Sequence, residues 1–183
     1  CNFDRVMLDG RALSDRPQVG VDFFASSESD GIHGLNDFHS SHFISQKVEV
    51  TTLARSLKEH NTEFIDYLKV DTEGNDLRVL QGLDWGSHFP EVLMCEFEDF
   101  KTASYGYSSM DLYAYLSERY STVLISEWHS VRKYGTLHRW RRVADSPEGV
   151  DFERGWGNFI AIRDSNLKSV LVSAIEKQAG SDD

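Results

Sequence analysis

The feature that most constrains this chain is a regular exchange of strand-like and helix-like segments from about residue 47 onward. Strand-like runs fall at Lys47 to Val50, Tyr67 to Asp71, Val92 to Phe97, Thr122 to Ser126 and Asn158 to Ile162. Helical patterns lie between the first four. Leu53 and Leu57 are spaced i, i+4 after the potential cap Thr52; Leu77, Leu80 and Leu83 mark a short helix ending near Gly82; Met110, Leu112, Tyr113 and Leu116 follow Ser108 or Ser109. This order predicts an α/β domain with a mostly parallel sheet. Val92 to Cys95 and Val123 to Ile125 are apolar without alternation, which predicts strands covered on both faces. Two further strand-like runs come earlier, Arg5 to Leu8 and Val21 to Ala25. At the other end, apolar residues at 167, 170, 171, 174 and 175 predict an amphipathic helix over 165–178.

No repeat, low-complexity tract or Pro-rich linker divides the 183 residues, so a single domain over 1–183 is expected. The formal charge of −11 disfavours nucleic acid and anionic membrane as partners, because a polyanion meets a repulsive mean field. No apolar run approaches the roughly 18 to 20 residues of a membrane span. The two cysteines, Cys1 and Cys95, make a disulfide framework improbable, and Cys95 reads as a buried free thiol. A soluble, cytoplasmic protein is the expectation.

Ligands of open α/β sheets bind beyond the carboxyl ends of the strands. Two such places are polar here: Asp71-Thr72-Glu73-Gly74-Asn75-Asp76 and Glu96-Phe97-Glu98-Asp99. In the first, a strand delivers Asp71 to the sheet edge, Gly74 permits a tight turn, and a helix begins at once. Glu73 and Asp76 then fall near its N-terminus, where the helix dipole favours carboxylates. The plainer alternative is that these acids only cap and solubilise a turn.

Around this stretch the sequence resembles the FkbM-type S-adenosylmethionine-dependent methyltransferases. Four segments carry the likeness: Ala12-Leu13-Ser14-Asp15, Val48-Glu49-Val50-Thr51-Thr52-Leu53, Leu68 through Gly82 with its Asp71-Thr72-Glu73-Gly74 block, and Pro90 through Glu96. Asn158 to Ile162 is similar to the family's closing strand. The resemblance implies a Rossmann-like class I methyltransferase sheet, ordered 3-2-1-4-5-7-6 with a closing antiparallel strand. It also implies a strand and glycine-rich turn for the methionine end of the cofactor, then a strand ending in an acid for the ribose. Neither is found before Ala12, and Gly31-x2-Gly34 follows no βα pattern. A sheet lacking its first two strands is therefore expected, with poor cofactor binding and low stability for these residues alone.

What the resemblance implies for function is methyl transfer from S-adenosylmethionine to a hydroxyl of a small molecule or glycan. Arg11 and Ala12 would lie beside the adenine, and Asp71 where donor and acceptor meet. Asp71 or Glu73 could orient the acceptor hydroxyl, although an unperturbed carboxylate is a feeble base for an alcohol. Histidine is better matched. His33, His39 and His42 fall in an insertion at 26–46 that could cover the site as a lid, which makes His39 and His42 candidate bases. With Asp30 or Asp37 these histidines match no standard metal-ligand spacing, so no metal is assigned.

A basic segment runs against the acidic total: Arg132, Lys133, His138, Arg139, Trp140, Arg141 and Arg142, with Trp128 and His129 nearby. It is either an acceptor-recognition hairpin or a solvated one whose arginines pair with acids. Two other functions fit fewer residues. A non-catalytic methyltransferase-like binding module is favoured by the absent glycine-rich turn, and a sugar-nucleotide enzyme with Mg²⁺ rests on Asp71-Thr72-Glu73 alone. Oligomeric state is not legible.

Overall fold

The computed structural model describes residues 6–130 and 138–179. It is a mixed α/β structure with two sheets. A three-stranded sheet, ordered β1-β3-β2, contains β1 (Ala12–Leu13), β2 (Gln18–Ser26) and β3 (His42–Thr51). A five-stranded sheet, ordered β4-β5-β8-β6-β7, contains β4 (Tyr67–Val70), β5 (Val92–Phe97), β6 (Thr122–Trp128), β7 (Trp140–Ala144) and β8 (Trp156–Ile162). The helices are α1 (Leu53–Glu59), α2 (Asp76–Gln81), α3 (Asp99–Thr102), α4 (Ser109–Ser117) and α5 (Lys168–Ala179).

Local chemistry explains where the helices start. The Thr52 hydroxyl accepts from the Arg55 N–H to open α1, and Ser108 forms a reciprocal capping box with Asp111 to open α4. Gly82 closes α2, packing so tightly on the Ser14 carbonyl that a side chain there would collide.

The larger sheet is covered on both faces. Leu93, Cys95 and Phe97 of β5 join Val123, Ile125, Phe159 and Ala161 in the main core, with α2 and α4. Residues one step along each strand, Val92, Met94, Leu124, Ile160 and Ile162, face α5. This is the two-sided burial that the unalternating runs predict.

Three expectations are corrected. The sheet is not mostly parallel: β4 and β5 are parallel, but β8 enters between β5 and β6 antiparallel to both, and β7 is antiparallel to β6. Val6, Met7 and Leu8 are not a strand; they are 59%, 67% and 92% exposed and have no strand partner among the described residues, while Arg5 lies outside those residues. The face of α5 that packs is Leu171, Val172 and Ile175, whereas Leu167 and Val170 remain exposed.

Residues 26–46 form the far end of the β2–β3 hairpin, where buried Ile32 anchors a short 3₁₀ turn. Cys95 is a buried free thiol. Among the described residues no helix is long and apolar enough to cross a membrane.

Candidate active site

The loop after β4 carries the site because its backbone is unusual. Glu73 and Gly74 both adopt left-handed conformations, with φ of 54° and 92°. A non-glycine residue at positive φ is strained, and such strain persists only where its surroundings hold it. Here the hold is visible. The Tyr107 hydroxyl donates to the Gly74 carbonyl at 2.6 Å, and a Cβ on Gly74 would lie 2.8–2.9 Å from backbone and Cβ atoms of Lys101. Asp76 then turns back beneath the loop, accepting from the Thr72 hydroxyl at 2.9 Å and from the Glu96 N–H at 3.1 Å, which fastens the β4 loop to β5.

This turn aims Glu73 into a cluster of acids around one lysine. The Lys101 ammonium is 2.7 Å from Glu73, 2.8 Å from Glu96 and 3.1 Å from Glu98, and its side chain is 4% exposed. Burial pulls the lysine toward losing its proton, but the three acids outweigh burial and hold it charged. One ammonium does not balance three carboxylates. Burial accordingly pushes the carboxyls of Glu96 and Glu73 up, with Lys101 opposing.

Two cavities meet at Asp71. The first, of about 260 Å³, is lined by Arg11, Ala12, Leu13, Phe23, His33, Thr72 and Asn75 besides Asp71. The second, of about 440 Å³, is lined by Asp30, Asp71, Glu73, Glu96, Glu98, Lys101, His138 and Trp156. Asp71 itself is exposed and 2.6 Å from the Lys69 ammonium.

The structure thus brings together Arg11, Ala12 and Asp71 in one cavity and Asp71 and Glu73 in the other. The guanidinium of Arg11 is already engaged by Asp9 and Glu59, both at 2.7 Å. His39 and His42 line neither cavity. The His42 ring is fully buried against Phe24 and Phe38, and its Nε2 donates to the Ile32 carbonyl at 2.8 Å. Nδ1 of His39 lies 2.7 Å from the Ser41 hydroxyl. Both rings brace the hairpin end, and His33 is the loop histidine that reaches a cavity.

Of the basic segment, Arg132 and Lys133 lie outside the described residues. Arg141 and Arg142 pair with Glu127, whose side chain is 0% exposed, at 2.7 and 2.8 Å. Both guanidiniums are thus held by one buried acid, and the residue of this segment that lines the second cavity is His138, packed edge-on against Trp156 at 5.1 Å.

Lys101 and Trp156 escaped the sequence reading. A lone lysine following two glutamates after a buried strand was the available signal for the first; nothing local marked the second. Among the described residues, the only set of three or more potential ligands that converges is Asp71, Glu73 and Glu96, within 4.8 Å of one another. The histidines form no such set with Asp30 or Asp37.

The comparison with protein families gives the class to which this strand-end loop and its two cavities belong. The methyltransferase FkbM domain matches residues 10–129, well over half of the chain, and the protein belongs to that family. Neither the curated proteins nor the solved structures gave a significant match.

Proposed function

We propose that the chain acts as an S-adenosylmethionine-dependent O-methyltransferase on a hydroxyl of a small molecule or glycan. The observation that carries this reading is the position of Asp71, common to both cavities. A carboxylate there faces the cationic donor from one side and the acceptor from the other. The order β4-β5-β8-β6, with β8 antiparallel to both neighbours, is compatible with the 4-5-7-6 part of the sheet that the family resemblance implies, and supports the same reading.

The first cavity suits part of the cofactor. Ala12, Leu13 and Phe23 offer an apolar lining and Asp71 a negative charge, but about 260 Å³ is below the roughly 300–1,000 Å³ of sites that enclose a ligand of that size. The described residues would hold the end of the cofactor next to Asp71 and leave the remainder outside this cavity. When bound, that group supplies a methyl on a sulfonium.

The chain's own residues do the positioning, which can supply about 7–11 kcal/mol of an in-line displacement. Asp71 and Glu73 orient the acceptor hydroxyl. Burial raises the proton affinity of Glu73, which suits it to take the proton of the acceptor hydroxyl when a methyl would pass from the sulfonium, its C–S bond breaking as C–O forms. Trp156 gives a flat face for a ring, and the many carboxylates of the second cavity repel anionic acceptors, nucleic acid included.

The test is transfer of labelled methyl to a panel of neutral hydroxylated acceptors. Asp71→Asn is expected to slow it by about 10²-fold or more with the fold intact by circular dichroism. An unchanged rate in that variant would remove Asp71 from the chemistry. The small first cavity favours one rival, a non-catalytic binding module, which predicts saturable acceptor binding with no transfer under any condition.

A further inference from the structure

Two of the three converging acids, Asp71 and Glu73, belong to the proposed methyl-transfer site, and the role of the buried lysine among them can be tested apart from methyl transfer. We propose that Lys101 is a built-in counter-ion that occupies Glu73 and Glu96, two of the three acids a divalent cation would need, so that the second cavity is closed to metals as long as the lysine is present.

Three carboxylate oxygens within 4.8 Å of one another are the kind of donor set that hard cations take. Two of the three acids are already committed. Glu73 and Glu96 each present an oxygen to the Lys101 ammonium, at 2.7 and 2.8 Å, and Glu98 adds a third at 3.1 Å. An ammonium has three protons to donate, and three acids surround it. A divalent ion held by the same two oxygens would sit within about 5 Å of the ammonium, the sum of a metal–oxygen contact and the ion-pair distance. Two cations that close compete for the same two carboxylates and repel each other.

The lysine is also held in place. Its backbone carbonyl carbon and oxygen and its Cβ lie where a side chain on Gly74 would be, so the strained turn and the lysine are packed as one unit. The Ser104 hydroxyl donates to its carbonyl at 3.1 Å. Movement of the ammonium away from Glu73 and Glu96 would leave two largely buried acids facing each other, which is costly. Lys101 is therefore a permanent part of the site's charge and fixes the directions of Glu73 and Glu96.

The experiment uses Mn²⁺ alone as probe, followed by electron paramagnetic resonance and by thermal unfolding of the full chain. Wild type is expected to show no stoichiometric binding and no rise in Tm. Lys101→Met is expected to bind one Mn²⁺ at least tenfold more tightly than wild type, with a rise in Tm, and the added Glu96→Gln change should abolish both. Lys101→Gln, which is polar and shorter, is the second variant should the methionine protein fail to fold. Binding of one Mn²⁺ to wild type that Glu96→Gln removes would overturn the proposal, because lysine and metal would then coexist. So would a folded Lys101 variant that binds no better than wild type. Neither result touches the methyl-transfer assay, so the two readings stand or fall separately.

Discussion

Asp76 has no solvent exposure, yet each hydrogen bond it makes comes from a donor: the N–H and hydroxyl of Thr72 and the N–H of Glu96. A carboxylate satisfies all of them, whereas an amide would turn its NH₂ toward at least one. Asp76→Asn is expected to cost about 1–3 kcal/mol, the penalty of an unmatched buried donor, measured by chemical unfolding at neutral pH. Burial nonetheless pushes this carboxyl up, from an ordinary value of 3.8 to about 6, against the hydrogen bonds that favour its charge. The folded state then holds a proton that the unfolded chain releases. That contribution to stability is present below about pH 4 and is lost as pH rises through about 6. The stability difference between wild type and Asp76→Asn should therefore shift against wild type across this window, and a flat difference would contradict the assignment.

Elements whose instructions are local were legible in the sequence. Helices α1, α2 and α4 begin and end at residues whose side chains or lack of them act within one turn: Thr52, Gly82 and Ser108. Strand β5 announced itself by an apolar run buried on both faces. β7 was not among the predicted strands, because its arginines read as part of a hairpin, either one for acceptor recognition or a solvated one paired with acids. Their partner is a single acid on β6, Glu127, which also accepts from the Asp151 N–H at 2.9 Å. Burial opposes the charge of Glu127, but the Asp151 N–H, Arg142 and Arg141 outweigh it and hold the carboxyl below its usual value of 4.5. Stability from this pairing is present above that value and is lost as the pH falls further. Since both arginines are about 40% exposed, Glu127→Ala should cost about 2–3 kcal/mol, below a fully buried pair. Hydrogen exchange at β6 and β7 is the measurement, and unchanged protection there would show that the pairing contributes nothing.

At the level of the whole molecule, Asn75 is one of the side chains that tie the two sheets together. Asn75 is 1% exposed; it donates to the Leu13 carbonyl at 2.7 Å and receives the Ser14 hydroxyl at 3.4 Å, joining the loop after β4 to β1. Asn75→Ala is expected to lower stability by about 1–3 kcal/mol and to speed amide exchange in β1 and β3 while β5 and β8 stay protected. Uniform loss of protection would mean that the sheets unfold as one. This tie explains what the sequence could and could not disclose about the site. Asp71 and Glu73 follow a strand within one short stretch and were legible. The cavities were legible only in part: Arg11 and Ala12 came from the family resemblance, whereas Lys101 from α3 and Trp156 from β8 lie in separate segments that nothing in the sequence joined to the loop.

A carboxylate that borders two cavities also makes their occupants thermodynamically dependent on each other. A cation bound in one consumes part of the field of Asp71 that the other would feel, and the penalty is equal in both directions. Any ligand pair that meets at Asp71 will show heterotropic coupling, and a neutral residue at position 71 will uncouple the two affinities even where each survives.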